Sequence, residues 1–138
     1  AVPLSQVDDP TFAEEIMGKG IAIIPTEDEI FSPINGTVSL VFNTKHAIGL
    51  KTEDGAEVKI HIGLDTVKLN GEHFTTFVKS GDKVKVGDKL VEFDREAIKN
   101  KGYDIITPII ITNSSDYLDI IPKDVTSVNQ GDEVLAIL

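Results

Sequence analysis

Short stretches rich in Val, Ile, Leu, Phe and Thr recur along the chain and are parted by Gly, Pro, Asn and Asp. They occupy 20–24, 36–42, 46–51, 57–64, 74–78, 89–93, 105–112 and 134–138. Many short runs with turn residues at roughly ten-residue spacing predict an all-β fold, an antiparallel sandwich or barrel-like pair of sheets. Asn35-Gly36, Asp54-Gly55 and Asn70-Gly71 supply residues that tolerate positive φ, as tight turns require. Gly-Asp-x-Val occurs at 81–84 and again at 131–134, a turn-to-strand element spaced too loosely for a solenoid. One short helix is expected over 95–101, with Asp94 as its N-cap and Gly102 at the left-handed position beyond it. No linker or low-complexity tract interrupts the pattern. Residues 1–138 therefore read as one domain, with 1–12 an extended N-terminal approach segment.

Alternation assigns faces within the fourth run. Val58, Ile60 and Ile62 alternate with Lys59, His61 and Gly63, which puts the aliphatics on one face and His61 on the other. The preceding run carries His46, and Asp54-Gly55 lies between the two runs as a strong hairpin signal. If those two residues form the loop, Glu53 faces Ala56, Ile48 faces His61, and His46 faces Gly63. His46 and His61 then share a face as diagonal neighbours, with Cβ atoms up to about 7–8 Å apart. Ile48 and Leu50 share that face in this register. A four-residue loop keeps the pairing; a three-residue loop puts the histidines on opposite faces.

Composition narrows the partners. The chain has 138 residues, no cysteine and a formal net charge of −10. A chain of this length buries roughly two-thirds of its unfolded surface, so its core needs no covalent or metal staple. Without cysteine it has no thiolate nucleophile and no disulfide. Its acidity argues against nucleic acid, which calls for a cationic footprint. No apolar run reaches the ~18 residues of a spanning helix. The opening Ala1-Val2-Pro3-Leu4-Ser5 has no basic-then-apolar signal pattern, so a cytoplasmic setting is expected. It also lacks an initiator methionine, which suits processing or a domain of a longer polypeptide.

A convergent imidazole pair offers two chemistries. Two histidines supply half of a tetrahedral zinc shell, and Asp65, in His61-x-x-x-Asp65, is a candidate third ligand. Alternatively, one neutral imidazole attacks phosphorus while the other donates a hydrogen bond to the phosphoryl oxygens. Thr44, two residues before His46, is placed to orient that ring through its hydroxyl.

Thr44-Lys45-His46-Ala47 and Ile60-His61-Ile62-Gly63-Leu64-Asp65-Thr66-Val67 resemble the histidine blocks of glucose-type enzyme IIA (EIIA type 1) domains of the bacterial phosphoenolpyruvate-dependent sugar phosphotransferase system. Phe12-Ala13-Glu14, the segment 18–23, Pro25-Thr26, the segments 33–37 and 84–88, and Glu92-Phe93-Asp94 resemble further blocks of that family in order. The resemblance implies a β-sandwich of the duplicated-hybrid-motif type and a phosphotransferase role. It implies that His61 becomes a tele-phosphohistidine, that His46 stabilises the phosphoryl group, and that Thr44 orients His46. It further implies a surrounding surface of Asp9, Phe12, Ile16, Met17, Phe42, Asp65 and Val67. The phosphoryl donor would be the histidine phosphocarrier protein HPr, and the acceptor a cysteine of a IIB domain. A membrane IIC component would belong to the same system, in the same polypeptide or apart. No cofactor is required under this reading; a zinc ion on His46 and His61 is the option left open. Within the family, 99–104 and Tyr117-Leu118-Asp119 are most similar to IIA domains of β-glucoside-type permeases.

Some positions depart from the family. Lys59 stands where better-known members carry an aromatic, covering the rim with its stem while adding positive charge. Lys68 replaces an acidic residue, Met17 is a benign apolar change, and His73 reads as a loop residue. Two rival readings are weaker. A zinc hydrolase of the lysostaphin type also needs a His-x-His element, which the chain lacks. A biotinyl- or lipoyl-like module is suggested by 78–93, without the flanking Met-Lys pattern.

Overall fold

The computed structural model describes residues 2–3, 19–112, 120–122 and 135–137. Twelve strands are described: β1 (Val2–Pro3), β2 (Lys19–Ile23), β3 (Glu29–Phe31), β4 (Gly36–Val41), β5 (Ala47–Lys51), β6 (Glu57–His61), β7 (Phe74–Thr76), β8 (Lys83–Val84), β9 (Lys89–Phe93), β10 (Thr107–Ile111), β11 (Ile120–Pro122) and β12 (Leu135–Ile137). Helix α1 covers Arg95–Asn100. Every strand pairing among the described residues is antiparallel. The strands form a sheet in the order β1-β2-β10-β6-β5-β4-β8, a second in the order β3-β9-β7, and the ribbon β11-β12.

The expected runs appear, mostly with trimmed ends. The run at 57–64 shortens because Gly63 takes a φ of 77° and turns the chain out of the strand. Strand β3 was not expected, being short and partly charged, whereas β8 is the strand end of the first Gly-Asp-x-Val unit. The second Gly-Asp-x-Val unit lies outside the described residues. Helix α1 starts as expected: the Asp94 carboxylate accepts from the Ala97 N–H at 3.0 Å, and Gly102 follows with φ 91°.

The core lies between the two main sheets. Ile48, Leu50, Val58, Ile60, Ile109 and Ile111 face Phe74, Val91 and Phe93 within one cluster that Ile98 of α1 closes. Burying an aliphatic side chain of this kind contributes about 1.5–3 kcal/mol. Strand β10 is buried at every position and runs between β2 and β6. Its ladder with β6 ends at Ile109 opposite Ile60. Pro108 then falls opposite His61, and a proline has no N–H to extend the ladder.

The hairpin register differs from the expectation. Ala47 faces His61, Ile48 faces Ile60, and Lys51 faces Glu57. The loop has three residues, 53–55: the Thr52 N–H donates to the Ala56 carbonyl at 3.0 Å, and the Gly55 N–H to the Thr52 carbonyl at 3.1 Å. Gly55, at φ 94°, takes the left-handed place that such a loop requires. This one-residue slip turns Ile48 and Leu50 away from His61 and into the core, where they are 1% and 0% exposed.

A candidate phosphoryl-transfer site at a histidine pair

His61 is the last residue of β6 and is half-buried, with its neighbours Ile60 and Ile62 both in the core. Alternation along the strand thus turns its ring off the apolar face, as expected. The chain bends back at Gly63, and the His61 Nδ1–H donates to the Gly63 carbonyl at 2.7 Å. A carbonyl can only accept, so this contact places the proton on Nδ1 and the lone pair on Nε2. Thr66 reinforces the bend: its buried hydroxyl donates to the Ile62 carbonyl. The Leu64 N–H bonds the Asp104 carbonyl at 3.0 Å.

His46 reaches the same place by a different route from the expected one. In the observed register, strand alternation separates the two histidines. However, His46 stands in the bend before Ala47, after Lys45 at φ 61°, where the alternation of β5 no longer applies. Its carbonyl accepts the Ile62 N–H at 2.7 Å, which pins it beside the end of β6. Its ring lies edge-on to that of His61, with centroids 4.7 Å apart and planes at 82°. Phe42 closes the other side at 5.6 Å and 74°. The Thr44 hydroxyl is 2.7 Å from His46 Nδ1. Burial, reinforced by the charges of His61 and Lys59, lowers the His46 pKa to about 4. A neutral His46 whose Nδ1 accepts from Thr44 carries its proton on Nε2.

The structure therefore groups Phe42, Thr44, His46 and His61. It adds Lys59, whose ammonium lies 5.1 Å from the centre of the Phe42 ring. Asp65 and Val67 lie on the segment just after His61, and both are exposed. Asp9, Phe12, Ile16 and Met17 lie outside the described residues. Among the described residues no set of three His, Cys, Asp or Glu side chains forms a metal cluster, so Asp65 does not complete one with the histidine pair. Sequence reasoning missed the Gly63 carbonyl as the partner of His61. The signal available was the glycine two residues on, which lets the chain fold back.

Fold and site together define an antiparallel β-sandwich with a paired-imidazole centre. A family model, described as "phosphoenolpyruvate-dependent sugar phosphotransferase system, EIIA 1", matches residues 1–117. The chain belongs to this family of phosphotransferase components, which carry a phosphoryl group on histidine. It is 52% identical over 134 residues to the PTS system beta-glucoside-specific EIIBCA component of Bacillus subtilis, covering 97% of this chain and 22% of that protein. It is 51% identical over 131 residues to the PTS system glucose-specific EIIA component of Oceanobacillus iheyensis, covering 95% and 79%. The chain thus spans about a fifth of the β-glucoside relative and most of the glucose one. The solved structure of glucose permease IIA from Mycoplasma capricolum superimposes with a TM-score of 0.88 at 39% identity, covering 97% of this chain and 86% of that one.

Proposed function

We propose that this chain is a phosphocarrier that takes a phosphoryl group from HPr onto Nε2 of His61 and passes it to a cysteine of a IIB domain, which drives sugar uptake through a IIC component. One observation carries the reading: the Gly63 carbonyl holds the proton on Nδ1 of His61 and leaves Nε2 as the nucleophile, 4.7 Å ring to ring from His46. In the transfer, the bond from phosphorus to the donor nitrogen breaks and the donor imidazole keeps the electron pair. The Nε2 lone pair of His61 forms the new bond. Nδ1 keeps its proton, so the neutral ring becomes cationic as Nε2 bonds phosphorus, which makes it a good leaving group for the next acceptor. His46, neutral and oriented by Thr44, donates its Nε2–H to the phosphoryl oxygens. Phe42, Asp65 and Val67, with Asp9, Phe12, Ile16 and Met17, are proposed to form the partner surface; Val67, 47% exposed, suits that role. No cofactor enters any step.

For the sugar, we infer a β-glucoside-type permease. Identities of 52% and 56% to the β-glucoside EIIBCA components of Bacillus subtilis and Dickeya chrysanthemi support this. A glucose permease is the second reading, favoured by the 51% identity to glucose-specific EIIA components. Complementing a strain that lacks its own IIA, on each sugar in turn, separates the two.

The test of the phosphocarrier role uses phosphoenolpyruvate, enzyme I and HPr with intact-mass readout. One acid-labile phosphoryl group is expected, absent in His61→Ala. His46→Gln should accept phosphate and pass it on poorly. Labelling that survives His61→Ala would sink the assignment.

A further inference from the structure

Lys59 precedes His61 by two residues on β6, so both side chains leave the same face, about 6.5–7 Å apart along the strand. That span is within reach of a lysine side chain. Lys59 is half-buried, and burial lowers its pKa from the ordinary lysine value. Its ammonium rests over Phe42, and its charge is felt at His46. The ion pairs among the described residues engage other cations: Lys89 with Glu29 and Glu92, Arg95 with Asp28, and Lys101 with Glu72. None of those carboxylates pairs with Lys59. An aromatic face is a weaker partner for a partly desolvated ammonium than an anion is.

We propose that Lys59 is a phosphoryl-binding residue: its ammonium rests on Phe42 while His61 is bare, and turns to the phosphoryl oxygens once the bond to Nε2 has formed. The inference rests on His61 being the acceptor. No proton moves in this step, because Lys59 stays an ammonium and His61 keeps its Nδ1–H. The ammonium offsets phosphoryl charge that the neutral His46 can only hydrogen-bond. It therefore holds the phosphoryl group on this chain more firmly than His46 alone would.

The experiment mixes the whole chain with HPr, enzyme I and phosphoenolpyruvate, and then reads how phosphate partitions between HPr and the chain. Lys59→Met keeps most of the side chain's length and apolar stem and removes its charge; it is expected to shift the partition toward HPr by about tenfold, the scale of one charge-assisted hydrogen bond. Lys59→Arg should stay within about twofold of the wild type, since it keeps the charge. A Lys59→Met chain that partitions like the wild type overturns the inference, as does a Lys59→Arg chain as impaired as Lys59→Met. Nitrogen NMR of Lys59 Nζ in the unaltered chain gives an independent reading: its resonance should move on phosphorylation, and a fixed resonance overturns the clamp even if a variant fails to fold. A wild-type chain that takes up no phosphate overturns the acceptor reading, and this inference with it.

Discussion

The rings of His46 and His61 meet edge to face, with centroids 4.7 Å apart and planes at 82°, although the register of β5 on β6, continued to His46, would separate them. Burial of the His46 ring, reinforced by the nearby His61 and Lys59, has an electrostatic consequence. With a pKa of about 4, the buried His46 refuses a proton that the unfolded chain accepts near the ordinary value of 6.5. Between those values the unfolded chain binds more protons, so stability falls as pH drops from about 6.5 toward about 4 and levels off below. At about 1.4 kcal/mol per pKa unit, the loss reaches on the order of 3 kcal/mol at most. Urea unfolding of the wild type and His46→Gln at several pH values checks this. The wild type should show a steeper acid loss, and the difference between the two curves isolates the His46 part from the carboxylates that titrate alongside.

Thr44 is proposed to set the tautomer of His46. Its hydroxyl lies 2.7 Å from Nδ1 and, by donating there, leaves the proton on Nε2. Thr44→Val removes the donor while nearly keeping the volume. Nitrogen NMR should then show His46 divided between tautomers. Transfer from His61 onward should slow about tenfold, the scale of one lost hydrogen bond. Uptake of phosphate by His61 should persist, because its own proton is held by Gly63.

How much of this was legible in the residues depends on range. The strand of 57–61 and its faces followed from alternation, and the helix start followed from Asp94. The pairing of the histidines was expected from a two-residue loop at Asp54-Gly55. The loop instead spans three residues, since Gly55 can serve as the left-handed closing residue of the longer loop equally well. Dipeptide chemistry does not choose between those loops; packing does. The observed register sends Ile48 and Leu50 inward to join Ile60 and Val58, and burial of those two aliphatics outweighs a turn preference. The histidines still meet because His46 sits in a bend whose geometry depends on Lys45 at φ 61°. Lysine gives little local signal for such a conformation.

Asp94 separates stability from chemistry. Its carboxylate caps α1 through the Ala97 N–H at 3.0 Å, and it is not among the contacts described above around His61. Asp94→Ala should cost about 1 kcal/mol in denaturant unfolding. The rate and extent of phosphate uptake should match the wild type when both are measured well below the unfolding transition.

Gly63 couples the fold to the nucleophile. At φ 77° it already occupies the left-handed region, where a side chain is strained. A Cβ there would stand 2.6 Å from Thr66 Cγ2 and 2.8 Å from the Asp104 carbonyl oxygen. The Asp104 carbonyl is fixed by the Leu64 N–H, and Thr66 is fully buried, so neither yields readily. Gly63→Ala should therefore destabilise the chain by about 2–4 kcal/mol, combining backbone strain with a core clash. The strain relaxes by shifting the residue whose carbonyl receives the His61 Nδ1–H. In the fraction that remains folded, nitrogen NMR should show His61 losing its single tautomer, and phosphate uptake should slow. Thr66→Val, which loses the hydroxyl bond to Ile62 but adds no atom at Gly63, should lower stability while leaving the His61 tautomer largely in place. If the two substitutions disturb the tautomer equally, the carbonyl of Gly63 is not what holds the proton on Nδ1.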